Sequence, residues 1–237
     1  MNEKREEHRL ILTEDGSHSI YVPGLNETYH SFHGAIQESG YVFIKRGLEY
    51  FAGNQNRSLI KVLEVGLGTG LNALLTAQWA EEMQKKVEMT SLEAYPVPKG
   101  LVDVLNYPGK ISSKHAPGWF LKIHHTPWDE AVEIHDLFVL NKVMAKLETY
   151  PLPFQEFDVV FFDAFAPNKQ AELWDLSVLY KVYQSQNYPS VFVTYCAKGQ
   201  LKRDLRSLGY QVETLPGPPG KKEMVRAIKP GEIESKH

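Results

Sequence analysis

The sequence predicts an α/β protein, a mostly parallel seven-stranded sheet with helices on both faces and a small β-rich extension ahead of it. Three observations carry this. From Lys61 onward, short apolar runs alternate with helix-length segments. The first run, KVLEV, leads through the glycine-rich loop GLGTG into the helix-like LNALLTAQWAEEM. The run FDVVFFD is nearly continuously apolar, as a strand buried on both faces of a parallel sheet must be.

Residues 1–60 form the predicted extension, with strand-like pieces SIYVPG and GYVFI, Gly and Pro punctuation, and the aromatic residues Tyr21, Tyr29, Phe32 and Tyr41. The main domain covers 61–230, and 231–237 is expected to be a disordered tail. After KVLEV, Leu71, Leu74, Leu75 and Trp79 share one helical face. VEMTSL is the second strand, ending at Glu93, and GWFLKIHHT reads as the third, followed by Asp129, where a helix could begin. FDVVFFD ends at Asp163. Then come the loop AFAPNKQ, helix-like ELWDLSVLYKVYQ, strand SVFVTYC, helix KGQLKRDLRSL, and two strands, YQVETL and EMVRAIK, that suit a closing antiparallel pair.

The 237 residues suit one large domain, and a 43% hydrophobic, 23% charged composition is that of a soluble protein. No apolar run approaches the roughly 20 residues of a membrane span. The N-terminus, MNEKREEHR, lacks the apolar core of a secretory signal, so the expectation is a cytoplasmic protein without a membrane partner. The single cysteine, Cys196, can form no internal disulfide and is expected in the core. His124 and His125, adjacent on a predicted strand, point to opposite faces and cannot share an ion, so no metal is expected. A net charge of −3 disfavours polyanion binding by the whole surface but leaves room for a local basic patch.

Gly66, Gly68 and Gly70 are spaced G-x-G-x-G, which lets the chain turn sharply after a strand and approach a ligand closely. The nicotinamide fingerprint would place its third glycine at Leu71, so the pattern favours a nucleoside ligand without a pyrophosphate. A tight turn without a ligand is the alternative. Glu93 stands where a carboxylate can accept from both hydroxyls of a ribose, or is an exposed strand-end charge. Asp129 reads equally as an acceptor for an adenine amino group, with Trp128 beside it, or as a helix N-cap. Asp163 follows a buried strand at the end where α/β sheets bind ligands, and the competing reading is again a helix cap. Lys198, Lys202, Arg203 and Arg206 on the last helix, with Lys221 and Lys222 in PGPPGKK, form a basic set that could meet phosphates or be a solvated face.

The strings EVGLGTGLNALL, SLEAYP, FFDAFAPNKQAELW and GKKEM, in this order, resemble the methyltransferases of the MnmC and MnmD type, which complete 5-methylaminomethyl-2-thiouridine in transfer RNA. HSIYVPGLNETYHSFHGAIQESGYVFI resembles the family's N-terminal part. The resemblance implies a Rossmann-like class I methyltransferase fold and S-adenosyl-L-methionine as cofactor, bound by Glu64, Gly66, Gly68, Thr69, Gly70, Asn72, Glu93 and Asp129. It implies Asp163 as the catalytic residue, Phe165 and Pro167 at the substrate, and tRNA against Lys198, Lys202, Arg203, Lys221 and Lys222. It further implies separate enzymes that install the aminomethyl group at the wobble uridine.

An ordinary carboxylate, with pKa near 4, is a poor proton acceptor for an amine, so Asp163 is assigned mainly to orienting the nucleophile. The chain departs from the family at Leu67, often Phe, at Ala164, often Gly, and at 168–171, where NKQA replaces an AKNP-like string. The length and the lack of a second dinucleotide fingerprint suit a stand-alone methyltransferase. An aminopropyltransferase is the nearest enzyme alternative, and a noncatalytic RNA-binding module is the alternative of another class. The sequence carries no signature of an oligomeric state.

Overall fold

The computed structural model describes residues 8–231. A three-stranded antiparallel sheet comes first: β1 (Arg9–Leu12), β2 (His18–Val22) and β3 (Glu27–Thr28). The chain then runs helical from Ala35 to Asn54, as α1 (Ala35–Ser39), a π-helical stretch (Gly40–Glu49) and α2 (Tyr50–Asn54). The expected strand GYVFI lies inside this helix. Its apolar residues Val42, Phe43, Leu48 and Phe51 recur at helical spacing and are all buried. A five-residue window is too short to show that period. Phe43 packs on Phe161 of the main sheet, ring centroids 5.4 Å apart, so this helix belongs to the main core.

The main sheet follows with β4 (Leu59–Val65), α3 (Leu71–Met83), β5 (Lys86–Leu92), α4 (Lys99–Val102), α5 (Ala116–His125), β6 (Ala131–His135) and β7 (Phe138–Val143). It continues with β8 (Phe157–Phe162), α6 (Leu176–Ser185), β9 (Gln186–Thr194), α7 (Gly199–Ser207), β10 (Gln211–Pro216) and β11 (Glu223–Lys229). Eight strands, one more than expected, lie in the order β10-β11-β9-β8-β4-β5-β7-β6. β9, β8, β4, β5 and β7 are parallel, and the two edges are closed by antiparallel hairpins. The C-terminal hairpin, β10 with β11, is the expected one.

The segment read as the third strand is α5. Ala116, Trp119, Phe120 and Ile123 are buried at i, i+3, i+4 and i+7, a helical stripe, whereas a half-buried strand could not bury the adjacent Trp119 and Phe120 on one face. Pro117 in the first turn suits a helix start. His124 and His125 are therefore helical. The strand beside β5 is instead β7, which pairs with β6 across the short turn Asp136–Leu137. A strand therefore follows Asp129, so it caps no helix. It sits at φ 63°, and its Oδ1 accepts from Met144 N–H at 3.3 Å, tying the entry of β6 to the exit of β7.

Burial on both faces explains the apolar strands. In β4, Ile60 and Val62 face the helical 35–54 segment, α3 and α5, while Leu63 and Val65 face α6 and α7. Cys196 is buried in the second layer, as expected. No helix among the described residues is long and apolar enough to cross a membrane. Of the expected tail, 231–237, residues 232–237 lie outside the described residues, as do residues 1–7 of the N-terminal segment.

Candidate active site

From β4 the chain moves to β5 and β7 on one side and returns to β8 on the other, a topological switch point. At the carboxyl ends of these strands lies a cavity of about 1390 Å³. Its wall includes Gly66, Gly68, Thr69 and Asn72 from the loop and start of α3, Glu93 after β5, Ala145–Glu148 after β7, and Asp163 and Phe165 after β8. Tyr29 and His30 of the N-terminal extension cover it.

The glycine loop is held by contacts that leave no room for side chains. A Cβ on Gly66, at φ 93°, would stand 2.8 Å from the Asp163 carbonyl oxygen, and one on Gly68 would meet the Tyr29 ring at 2.9 Å. Gly70 does not line the cavity. Its Cβ would strike His124 at 2.7 Å, so it serves the packing of α3 on α5. Glu93 braces the loop: Oε2 accepts from Gly68 N–H at 2.9 Å and Oε1 from Tyr95 N–H at 2.8 Å. Each oxygen keeps a further lone pair, and the residue lines the cavity.

Asp163 is the carboxylate at the cavity floor. Its Oδ2 accepts from Asn72 Nδ2 at 2.8 Å. No helix begins after it until Ala171, and α6 starts beyond Asp175, so the helix-cap reading fails. Burial, reinforced by the negative Glu38, pushes its carboxyl up to about 7, against the Asn72 N–H and the Lys221 charge. The ordinary value assumed from sequence therefore does not hold, and a group near 7 is far better matched to proton acceptance at neutral pH.

Other predicted residues fall elsewhere. Glu64 is fully buried behind the wall, with Ser91 Oγ donating to its Oε2, and burial raises its carboxyl well above the usual range. Thr69 lines the cavity and pairs with His30 Nε2 at 2.7 Å. Asp129 and Pro167 are not on the cavity wall, whereas Trp128 lines a smaller hollow beside it with Leu67, Glu93 and Lys142. Lys198, Arg203 and Lys222 are exposed, and Lys202 pairs with Glu223 at 3.3 Å. Lys221 instead turns inward. It forms an ion pair with the buried Glu38, and its ammonium lies 3.6 Å over the Tyr195 ring. Sequence reasoning missed Tyr29, His30, Glu38, Tyr195 and Ala145–Glu148. Only misplacement of the third strand hid the last of these.

Residues 113–230 match the family of S-adenosyl-L-methionine-dependent methyltransferases. Over these residues the chain carries that family's methyltransferase domain. The methyltransferase is 28% identical over 91% of its length to the tRNA 5-methylaminomethyl-2-thiouridine biosynthesis bifunctional protein MnmC of Burkholderia multivorans, and 26% identical over 93% to that of Hydrogenovibrio crunogenus. It spans about a third of the length of these curated relatives, 34% of each. Its fold is shared with the crystal structure of MnmC2 from Aquifex aeolicus, at TM-score 0.76 and 24% identity, covering 95% of this chain and 71% of that one. The spermidine synthase of Thermotoga maritima is more distant, at TM-score 0.50 and 16% identity, covering 93% and 72%.

The methyltransferase's cavity fits its cofactor, because the glycine loop offers bare backbone and Glu93 offers paired acceptors beside it. Replacing Glu93 by Ala is expected to weaken S-adenosyl-L-methionine binding by roughly 1.5–3 kcal/mol, the worth of a hydrogen bond to a charged group. Calorimetric titration checks this, and unchanged affinity would remove Glu93 from the site.

Proposed function

We propose that the chain methylates the primary amine of a 5-aminomethyl-(2-thio)uridine at the wobble position of tRNA, giving the 5-methylaminomethyl nucleoside. The observation that carries this reading is Asp163: a carboxyl pushed up to about 7, hydrogen-bonded by Asn72, on the same cavity wall as the glycine loop and Glu93. The MnmC relatives, which are tRNA 5-methylaminomethyl-2-thiouridine biosynthesis proteins, supply the substrate class.

S-adenosyl-L-methionine supplies the electrophilic methyl group. It would be held by Gly66, Gly68, Thr69 and Asn72 with Glu93 on the ribose hydroxyls, and by the Ala145–Glu148 segment at the base, since this segment and not Asp129 ends the strand beside β5. An alkylammonium has a pKa of about 10 and no lone pair to attack with, so the site must hold the amine neutral. Asp163 accepts a hydrogen bond from the amine nitrogen, aims its lone pair, and offsets the positive charge that grows there. With its carboxyl near 7 it can also take up the proton released.

Tyr29 and Phe165, packed edge to face at 5.2 Å, give the cavity an aromatic surface suited to an unstacked pyrimidine. The exposed Lys198, Arg203 and Lys222, with Lys202, are the proposed phosphate contacts. Lys221, committed to Glu38, leaves that set.

The test is incubation with labelled cofactor and tRNA from cells lacking this modification, with the product nucleoside identified by mass spectrometry. Label in 5-methylaminomethyl nucleoside is expected, and neutralising Lys198, Arg203 and Lys222 together should raise KM for tRNA and flatten its salt dependence. Label appearing only in a small amine or another nucleoside would overturn the substrate assignment.

A further inference from the structure

Two histidines have no part in the chemistry above, yet both reach the same residue of the glycine loop. His30 Nε2 lies 2.7 Å from Thr69 Oγ1, and His124 Nε2 lies 3.1 Å from the Thr69 carbonyl oxygen. They come from separate parts of the chain. His30 follows β3 in the N-terminal extension, and His124 stands in the last turn of α5. Thr69 itself lines the cavity between Gly68 and Gly70.

We infer that His30 and His124 are positioning residues for the cofactor loop: they hold Thr69 by its hydroxyl and by its carbonyl, and so keep the loop in its receiving shape before the cofactor arrives. The loop needs such a hold. Gly66, Gly68 and Gly70 all stand at positive φ, and glycines give a free loop many competing shapes. A loop ordered in advance spares the cofactor that entropy. The ties from the β5 side, Gly66 N–H to Leu92 O and Gly68 N–H to Glu93, both at 2.9 Å, lie ahead of Thr69. The two imidazoles fix the residue that follows.

Each histidine is anchored in turn. Thr28 Oγ1 donates to the His30 carbonyl at 2.7 Å, and the His30 N–H donates to Ser19 Oγ at 3.1 Å. The His124 ring packs edge to face on Phe120, centroids 4.5 Å apart, in space that a side chain at position 70 would fill. A carbonyl oxygen only accepts, so His124 carries its hydrogen on Nε2. Burial pushes both imidazoles down to about 4, with the Lys142 charge adding to it at His124, so both rings are neutral at neutral pH. A neutral hold places no further positive charge beside a cofactor whose sulfonium is itself a cation.

This inference rests on the glycine loop as the cofactor cradle, and its test keeps the two apart. Calorimetric titration of the intact, ligand-free protein with S-adenosylhomocysteine is expected to give a Kd raised about 5–20-fold for His30→Leu and for His124→Leu, since the loop must then be ordered at the moment of binding. His30→Gln and His124→Gln, whose amides offer a donor near the same place, should stay within about threefold of wild type. Thr69→Val keeps the shape of the residue without its hydroxyl, and adding His30→Leu to it should weaken binding by less than about twofold more, because the contact is already gone. Hydrogen exchange of the ligand-free protein supplies a readout that a merely structural role would not move. Peptides covering 66–71 should exchange faster in both Leu variants and in Thr69→Val, while those covering β8 stay as in wild type. The Thr69→Val protein keeps the test intact if a Leu variant does not fold. Unchanged affinity in folded Leu variants, full additivity of His30→Leu with Thr69→Val, or Gln variants as weak as the Leu ones overturns the inference. If Gly66→Ala also binds like wild type, the fault lies with the cradle, while exchange at 66–71 still decides whether the histidines hold the loop.

Discussion

Asp163→Asn is expected to lower turnover by on the order of 10²-fold or more while leaving the fold intact, measured at saturating cofactor and tRNA. The replacement keeps an oxygen that can accept from Asn72, so the loop geometry survives and only the negative charge is lost. The pH profile gives a second readout. The carboxylate is the active form and its carboxyl is pushed up to about 7, so wild-type kcat/KM should rise with pH and level off above that value. The variant should lose this limb.

Stability should move the other way. An aspartate in the unfolded chain ionises near 4. Between there and about 7 the folded protein holds the proton that the unfolded chain has lost, so the Asp163 contribution is fully present below the unfolded value and lost as pH rises through the folded one. At pH 8 the Asn variant, free of that burial cost, should melt above wild type. Near-normal turnover would sink the catalytic assignment.

Gly66→Ala carries the second large effect. Gly66 joins three strand ends: its N–H donates to Leu92 O at 2.9 Å, and the neighbouring Val65 O accepts from Asp163 N–H at 3.0 Å. The added methyl would meet the Asp163 carbonyl, which is backbone and cannot rotate away, at a φ that L residues rarely adopt. A loss of roughly 2–4 kcal/mol of stability is expected, from backbone strain together with the displaced strand end. Cofactor affinity should fall by about 10²-fold or more, since the loop that cradles it must shift. Thermal melting and calorimetric titration check the two parts. Gly53→Ala, where nothing lies within 4 Å, is the control and should be neutral or slightly stabilising. A Gly66→Ala protein that binds cofactor like wild type would show that the loop does not form the cradle.

What was legible in the sequence follows from how local each signal is. The β4 strand, glycine loop and α3 helix form one continuous segment whose apolar period and glycine spacing need no tertiary information. The same holds for FDVVFFD, whose six strand residues are all buried. The third strand was misread because Trp119, Phe120 and Ile123 favour strands in composition, while their burial at helical spacing shows only over the full ten residues of α5. That one error hid the Ala145–Glu148 stretch of the cavity wall and put Asp129 in its place. The inward turn of Lys221 had no local signal, because its partner Glu38 lies 183 residues away. The state of Asp163 was illegible for the same reason. Its neighbours Glu38, Asn72 and Lys221 come from three separate parts of the chain.

The ion pair between Glu38 and Lys221 also bears on biosynthesis. It draws the helical segment near one end of the chain to the β10–β11 turn near the other, beside Asp163. A ribosome releases the chain from the N-terminus, and long-range closures wait for their later partner. The β4–α3–β5 portion can collapse early, but the charge balance around Asp163 is incomplete until residue 221 has emerged. A chain that stops short of residue 221 would therefore hold a partly formed sheet in which Glu38 lacks its counter-charge beside Asp163.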